Sequence, residues 1–329
     1  MSVLVTGGTG FVGGAIVRAL VKQGGNVRVL ARRTSKTEHL KAMGIEIAYG
    51  DILDKESIKA ALQGCDILYH AAALYDFWGI DEQVLMRTEV EGTQNALEAA
   101  LKAGVDKVVY TSTSVTIGER KGEVGTEATK HRGYFLSKYE RAKFEAEQIA
   151  MSYLEKSLPV IMINPAGVYG PGDFKPTGRA IIDFLNSRML GLFRGSTSFV
   201  YIDDVGMGHV LAASKGRVGE RYILSSNIVM MHEWASVLCR LSGAKMPPTV
   251  PAFLAGMNAS FSEMVSRVTR RPPILSWETF RVISHGFQVD GAKAARELGI
   301  VYTPLEEGLR KTIVWYWEQG LLKRKPACL

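Results

Sequence analysis

The chain has 329 residues, of which 47% are hydrophobic and 22% charged, and a formal net charge of +7. This balance suits a globular protein with a large core and excludes a disordered chain, and no apolar run is long enough to span a bilayer. The basic residues are dispersed without a nucleic-acid motif, so the charge points to an anionic cofactor and a solvated basic surface rather than to nucleic acid. Length alone admits one large domain or two moderate ones. Cys65, Cys239 and Cys328 are far apart and odd in number, without metal-ligand spacing. They read as free thiols in a reducing compartment, and with no apolar leader before the first strand the expected location is cytoplasmic.

Val3 to Val5 is a short apolar run suited to a buried parallel strand, and Phe11, Val12, Ala15, Ile16, Ala19 and Leu20 follow at helical spacing. Between them Gly7, Gly10 and Gly13 fit T-G-x-x-G-x-x-G. Gly7 makes the turn, Gly10 lets the backbone approach a pyrophosphate, and Gly13 lets helix and strand pack closely. Thr9, Phe11 and Val12 are expected beside the same dinucleotide, where the helix start offers unpaired N–H groups.

Val27 to Ala31 is a second strand, ending in Arg32-Arg33-Thr34-Ser35. An acid here would hold the adenosine ribose hydroxyls of NAD, whereas a guanidinium holds a 2′-phosphate. No acid occurs before Glu38. Arg32, Arg33 and Ser35 therefore favour NADP over NAD. Strands at Glu46 to Tyr49 and Asp66 to His70 close on Asp51-Ile52 and on Ala71-Ala72-Ala73. Asp51 and Ile52 can reach the adenine, and the small alanines leave room for the dinucleotide. His70 reads as a satisfied strand-end histidine.

Glu82 to Ala103 is predicted as one amphipathic helix, with Val84, Leu85, Val90, Ala96, Leu97, Ala100 and Leu101 on its packing face and Gly104 as its stop. The strand Lys107 to Thr111 runs into the hydroxyl cluster Ser112-Thr113-Ser114. A helix from about Tyr134 to Lys156 then carries two overlapping Tyr-x-x-x-Lys pairs, Tyr134/Lys138 and Tyr139/Lys143. Either spacing puts both side chains on one face. A phenol with a pKa near 10 becomes a proton donor or acceptor at neutral pH when an ammonium one turn away stabilises the phenolate.

The ordered series T-G-G-T-G-F-V-G, G-D-I-L-D, H-A-A-A, V-E-G-T, Y-T-S-T-S, Y-E-R-A-K-F-E-A-E, N-P-A-G-V-Y-G-P-G-D and F-V-Y-I-D-D-V resembles the extended short-chain dehydrogenase/reductases over residues 3 to 225. Within them the chain is most similar to the dihydroflavonol-reductase-like and hopanoid-associated epimerase-like branches. The resemblance implies an α/β fold, a Rossmann-type doubly wound parallel sheet with a smaller, mainly helical C-terminal substrate region. It also selects Tyr139 and Lys143, because Lys143 is followed by Phe144-Glu145-Ala146-Glu147, and it implies Thr113 as the third member of a catalytic triad. Pro165 and Val168 would lie in the loop that lines the nicotinamide, whose ribose Lys143 would hold. Three positions depart from the family's usual residues: Glu89 stands for Asn, Ala142 for Ser and Tyr201 for His.

The implied domains are residues 1–165, with 199–228 returning to them, and a substrate region of residues 166–198 and 229–329. Further elements are expected as a strand at Pro159 to Asn164, a helix at Gly178 to Met189, a strand at Phe199 to Ile202, a helix after Asp204 and a strand at Arg221 to Leu224. Helices follow, with breaks at the prolines 247, 248, 251, 272 and 273. The amphipathic stretch Pro251 to Val268 is expected in a core or a pocket wall rather than on a membrane, and Trp315 and Trp317 as packing residues.

The expected activity is NADP-dependent reduction of a ketone or aldehyde, or oxidation of the alcohol, on a small-molecule substrate and without a metal. The chain could also form a homodimer. The alternatives are a nucleotide-sugar epimerase, with Arg179, Arg188 and Arg194 as diphosphate ligands, and a non-enzymatic NADP sensor. A 4,6-dehydratase is disfavoured, because Ser114-Val115 stands where that type carries Asp-Glu.

Overall fold

In a computed structural model that describes residues 1–75, 79–189, 191–269, 273 and 275–329, ten strands and thirteen α-helices are found among the described residues. The strands are β1 (Ser2–Thr6), β2 (Asn26–Ala31), β3 (Glu46–Tyr49), β4 (Ile67–His70), β5 (Lys107–Thr111), β6 (Val160–Pro165), β7 (Gly167–Tyr169), β8 (Ser196–Tyr201), β9 (Arg221–Leu224) and β10 (Asn227–Met230). Through the N-terminal part they alternate with α1 (Phe11–Lys22), α2 (Glu38–Ala42), α3 (Lys55–Leu62), α4 (Glu82–Met86), α5 (Gly92–Ala103), α6 (Lys138–Ser152), α7 (Pro176–Leu185) and α8 (Ile202–Lys215). The C-terminal helices are α9 (Met231–Ser242), α10 (Ala252–Thr269), α11 (Trp277–His285), α12 (Ala292–Leu298) and α13 (Leu305–Glu318).

Seven strands form one parallel sheet in the order β3-β2-β1-β4-β5-β6-β9. Alternation along β1 sends Val3 and Val5 into the core shared with α1, α8 and α12, and Leu4 into the opposite core with α3, α5 and α6. A strand buried on both faces must be apolar throughout, which is why it reads as a continuous run. The strand order reverses between β1 and β4, so a crevice opens beyond Thr6 and His70. A second sheet, β10-β8-β7, lies outside the first. Of residues 199–228, α8 and β9 belong with the large sheet, whereas β8 pairs with β7 and β10.

Several sequence expectations shift. The expected helix from Tyr134 starts at Lys138, because the Ser137 hydroxyl accepts the Glu140 N–H at 3.0 Å while the Glu140 carboxylate takes the Leu136 N–H at 2.8 Å. Tyr134 lies outside it, exposed. The helix predicted over Glu82 to Ala103 contains a π-helical turn, Arg87–Glu91, and Val84 in its first turn faces solvent instead of packing. The helix predicted to Met189 ends at Leu185, and Ser187 takes a left-handed φ of 57°. β10 is not visible in the sequence pattern.

Helix α10 does not carry its large apolar residues into a core. It buries Ala255, Ala259, Ser262 and Ser266 and exposes Phe253, Leu254, Met257, Phe261 and Met264, because its small residues allow the closer approach to the body. The break expected at Pro272 lies outside the described residues. No described helix is long and apolar enough to cross a membrane.

Candidate active site

The turn after β1 is closed by the Gly10 N–H donating to the Gly7 carbonyl at 2.8 Å, with Gly7 at φ 73°. A β-carbon on Gly7 would meet the Ala71 carbonyl oxygen at 2.6 Å, and one on Gly13 would meet the Gly7 oxygen at 2.1 Å. Main chain therefore packs on main chain from β1 through α1 to the end of β4. No side chain caps α1, whose first turn, starting at Phe11, Val12 and Gly13, has no acid, so its N–H groups and dipole are left for an anion. With Thr9 beside the turn and Ala71, Ala72 and Ala73 opposite, these residues fit a dinucleotide pyrophosphate. The Ala72 N–H donates to Thr6 Oγ1, which also meets His70 Nδ1 at 2.8 Å.

At the adenosine end, Arg32 and Arg33 are exposed beyond β2. Arg33 lies over the Tyr49 ring, 5.3 Å from its centroid, and the Ser35 N–H donates to the Arg32 carbonyl. Asp51 accepts the Leu53 N–H at 3.0 Å, and Ile52 is buried against Gly92. Pro165 ends β6, and Val168 pairs with Val200 in β7.

The three residues expected to be reactive come together where β5 meets α6. The Thr113 side chain lies near the Tyr139 phenol and favours its ionised form. Lys143, buried on the same helix face, donates to the Thr111 carbonyl at 2.9 Å and to the Tyr110 hydroxyl at 3.3 Å. Burial works against the Lys143 charge, but the Tyr110, Glu89 and Tyr139 oxygens around it outweigh that cost and hold it as an ammonium. Burial pushes the Tyr139 phenol well above its ordinary range, while Lys143 pulls it back. The Tyr75 ring packs on Tyr139 at 4.9 Å. His70 is pushed down to about 3 by burial, with Lys143 adding to the effect, so it is neutral and bridges Thr6 and Thr93.

Two buried acids support the site, Glu147, whose role the sequence did not reveal, and Glu89, noted there as standing for Asn. The Glu147 carboxylate gathers the hydroxyls of Ser112 and Thr116 and the Asn164 amide on Oε2, and pairs through Oε1 with Arg221 at 2.9 Å. It ties α6, β6 and β9 to the loop that carries Thr113, and its only trace in the sequence is the Ala146-Glu147 signature. Glu89 lies 3.4 Å from the Lys143 ammonium. Tyr134 and Lys138 share no helix face, and Lys138 pairs with Glu82.

The pattern that defines the NAD dependent epimerase/dehydratase family matches residues 3–225. The chain belongs to that family. Such extended short-chain dehydrogenase/reductases are oxidoreductases that work with a nicotinamide dinucleotide, in keeping with the cradle at Gly7 to Gly13. Among family relatives, a Synechocystis sp. protein named after dihydroflavonol 4-reductase is 32% identical, over 97% of this chain and 95% of its own length. Sterol demethylase protein B of Methylococcus capsulatus is 33% identical, over 98% of this chain and 100% of its own. The crystal structure of gox2253 is 33% identical, covers 98% of this chain and 99% of that one, and superposes with a TM-score of 0.86.

Proposed function

We propose that the chain is an NADP-dependent reductase of a ketone or aldehyde, running in reverse as an alcohol dehydrogenase. The observation that carries this reading is the buried Tyr139 phenol, near Thr113 and one helical turn from the buried Lys143 ammonium. When bound, the nicotinamide would supply or take up a hydride. A carbonyl oxygen between the Thr113 hydroxyl and the Tyr139 phenol accepts hydrogen bonds from both. As negative charge develops on that oxygen, Tyr139 passes its proton across, and Lys143 stabilises the phenolate left behind. In the alcohol direction Tyr139 takes the proton back. The buried surroundings of Tyr139 keep bulk water from competing for it.

Arg32 and Arg33 support NADP over NAD, since both guanidinium groups are exposed past β2 and no acid is near them in sequence. Of the three arginines expected for a diphosphate in the epimerase alternative, Arg188 pairs with Asp183 at 3.1 Å and Arg179 donates to the Phe174 carbonyl, both at the surface. The name of the Synechocystis relative favours the reductase. The deciding experiment incubates the protein with NADPH and a panel of apolar ketones, aldehydes and nucleotide sugars. NADPH consumption on a carbonyl compound is the expected result. Conversion of a nucleotide sugar with no net change in NADPH, and no carbonyl turnover, replaces this reading with the epimerase.

A further inference from the structure

Glu89 is a fully buried acid that the mechanism above does not use. It occupies the π-helical turn Arg87–Glu91, between Leu85 and Thr93 on the buried stripe of that helix. Such turns inside α-helices are frequent at functional sites. Oε1 accepts the Leu74 N–H at 2.6 Å, and Oε2 stands 3.4 Å from Lys143 Nζ with no hydrogen-bond partner among the described residues.

We propose that Glu89 is a positioning residue: anchored by the Leu74 N–H and set against the Lys143 ammonium, it tempers the pull of that ammonium on the Tyr139 phenol, which then carries its proton into carbonyl reduction. The inference rests on the reading of Tyr139 as the acid. An ammonium alone beside a phenol favours the phenolate, whereas an ammonium paired with a carboxylate is a dipole with a much weaker pull. Burial pushes the Glu89 carboxyl up, and the Lys143 charge 3.4 Å away and the Leu74 N–H are the groups that pull it back toward the carboxylate. The groups facing this pair can be named. Lys143 and Tyr139 come from α6, Tyr110 from β5, neutral His70 from β4, the Leu74 N–H and Tyr75 ring from the loop after β4, and Thr113 from the loop after β5. Glu147 is a second acid, acting on Tyr110 from behind. Burial is the main reason the Tyr139 phenol sits high, Lys143 opposes it, and Glu89 adds to the rise.

Glu89→Gln tests the proposal, because it keeps the volume and an acceptor for Leu74 while removing the charge. Tyrosinate absorbance is titrated in the cofactor-free protein, with Tyr139→Phe versions of wild type and E89Q subtracted to isolate Tyr139. In E89Q its ionisation should fall by about one pH unit or more, a tenfold loss of proton affinity. The pH profiles of kcat/KM for reduction and for oxidation should move down together. Glu89→Asp, which keeps the charge at a longer distance, should give a smaller shift of the same sign and serves in place of E89Q if that variant does not fold. Titrations and profiles that coincide with wild type overturn the proposal and leave Glu89 a structural ion pair. A shifted titration alongside full turnover by Tyr139→Phe upholds the role of Glu89 and removes Tyr139 as the acid.

Discussion

Gly13 stands so close to Gly7 that a β-carbon built on it would lie 2.1 Å from the Gly7 carbonyl oxygen. Gly14, one residue on in the same helix, would place its β-carbon 3.5 Å from the Gly8 oxygen, an ordinary contact. Gly13→Ala should therefore push α1 off the turn, lower stability by about 1–3 kcal/mol and weaken dinucleotide binding tenfold or more. Gly14→Ala should be neutral or stabilising by up to about 1 kcal/mol, since it removes a helix glycine. Calorimetry and cofactor titration of the two variants check this, and equal losses in both would contradict it.

The β1-turn-α1 unit was legible because its signals are local: an apolar run, spaced glycines, then helical periodicity. The start of α6 was legible as well, through a different signal from the one followed. Ser137-Lys138-Tyr139-Glu140 has the S-x-x-E form of a capping box, which puts the helix start after Tyr134 rather than at it. Glu147 could not be read, because its partners Ser112, Thr116, Asn164 and Arg221 come from segments that only the folded sheet brings together. For α10 the periodic stripe was evident, but periodicity fixes a face without saying which way it points. Ala255 and Ala259 turned inward because neighbouring helices come closer over small side chains.

Tyr139 and Tyr134 offer a direct comparison of the two overlapping pairs. Tyr139→Phe should cut turnover by about 10²–10⁴ with cofactor affinity nearly unchanged, the usual contribution of a general acid. Tyr134 is exposed and outside α6, so Tyr134→Phe should leave turnover within about twofold of wild type. Steady-state kinetics on both variants decide it, and the opposite ranking would mean the wrong pair was chosen.

Removing the Glu147 carboxylate should disturb structure and rate together. Glu147→Ala strands Arg221 and frees the Ser112 and Thr116 hydroxyls, and breaking a buried pair in this way costs about 3–5 kcal/mol. The lower end applies here, since Arg221 keeps some solvent contact. Thr113 lies between the two released hydroxyls, so kcat should also fall while KM for the cofactor changes little. Denaturant melts with kinetics measure both, and a stability loss with unchanged kcat would mean that Glu147 does not position Thr113.

Arg32 carries the cofactor preference in this reading. Wild type should bind NADPH more tightly than NADH in a fluorescence titration, and Arg32→Asp should reduce that preference about tenfold or more, because a charged hydrogen bond contributes about 1.5–3 kcal/mol. Arg33 is already stacked on Tyr49, so Arg33→Ala should have the smaller effect on the ratio. Equal or better NADH affinity in wild type counts against the assignment.

Glu119 predicts how stability varies with pH. It is fully buried: Oε1 accepts the Gln288 N–H at 3.3 Å, while Oε2 has no hydrogen-bond partner among the described residues. Burial pushes its carboxyl up to about 7 from an ordinary 4.5, against the opposing pull of its backbone hydrogen bonds and the Arg132 charge. An acid raised in this way is held protonated by the native state while the unfolded chain releases its proton. Its contribution is therefore largest below pH 4.5 and is lost as pH rises to about 7, with no further change above that. At 1.36 kcal/mol per unit the loss is about 3 kcal/mol at most. Glu119→Gln cannot ionise, so its stability should fall less than that of wild type between pH 5 and 7, where the buried Asp173 still titrates in both proteins. Parallel curves for the two proteins would show that Glu119 does not titrate in that window.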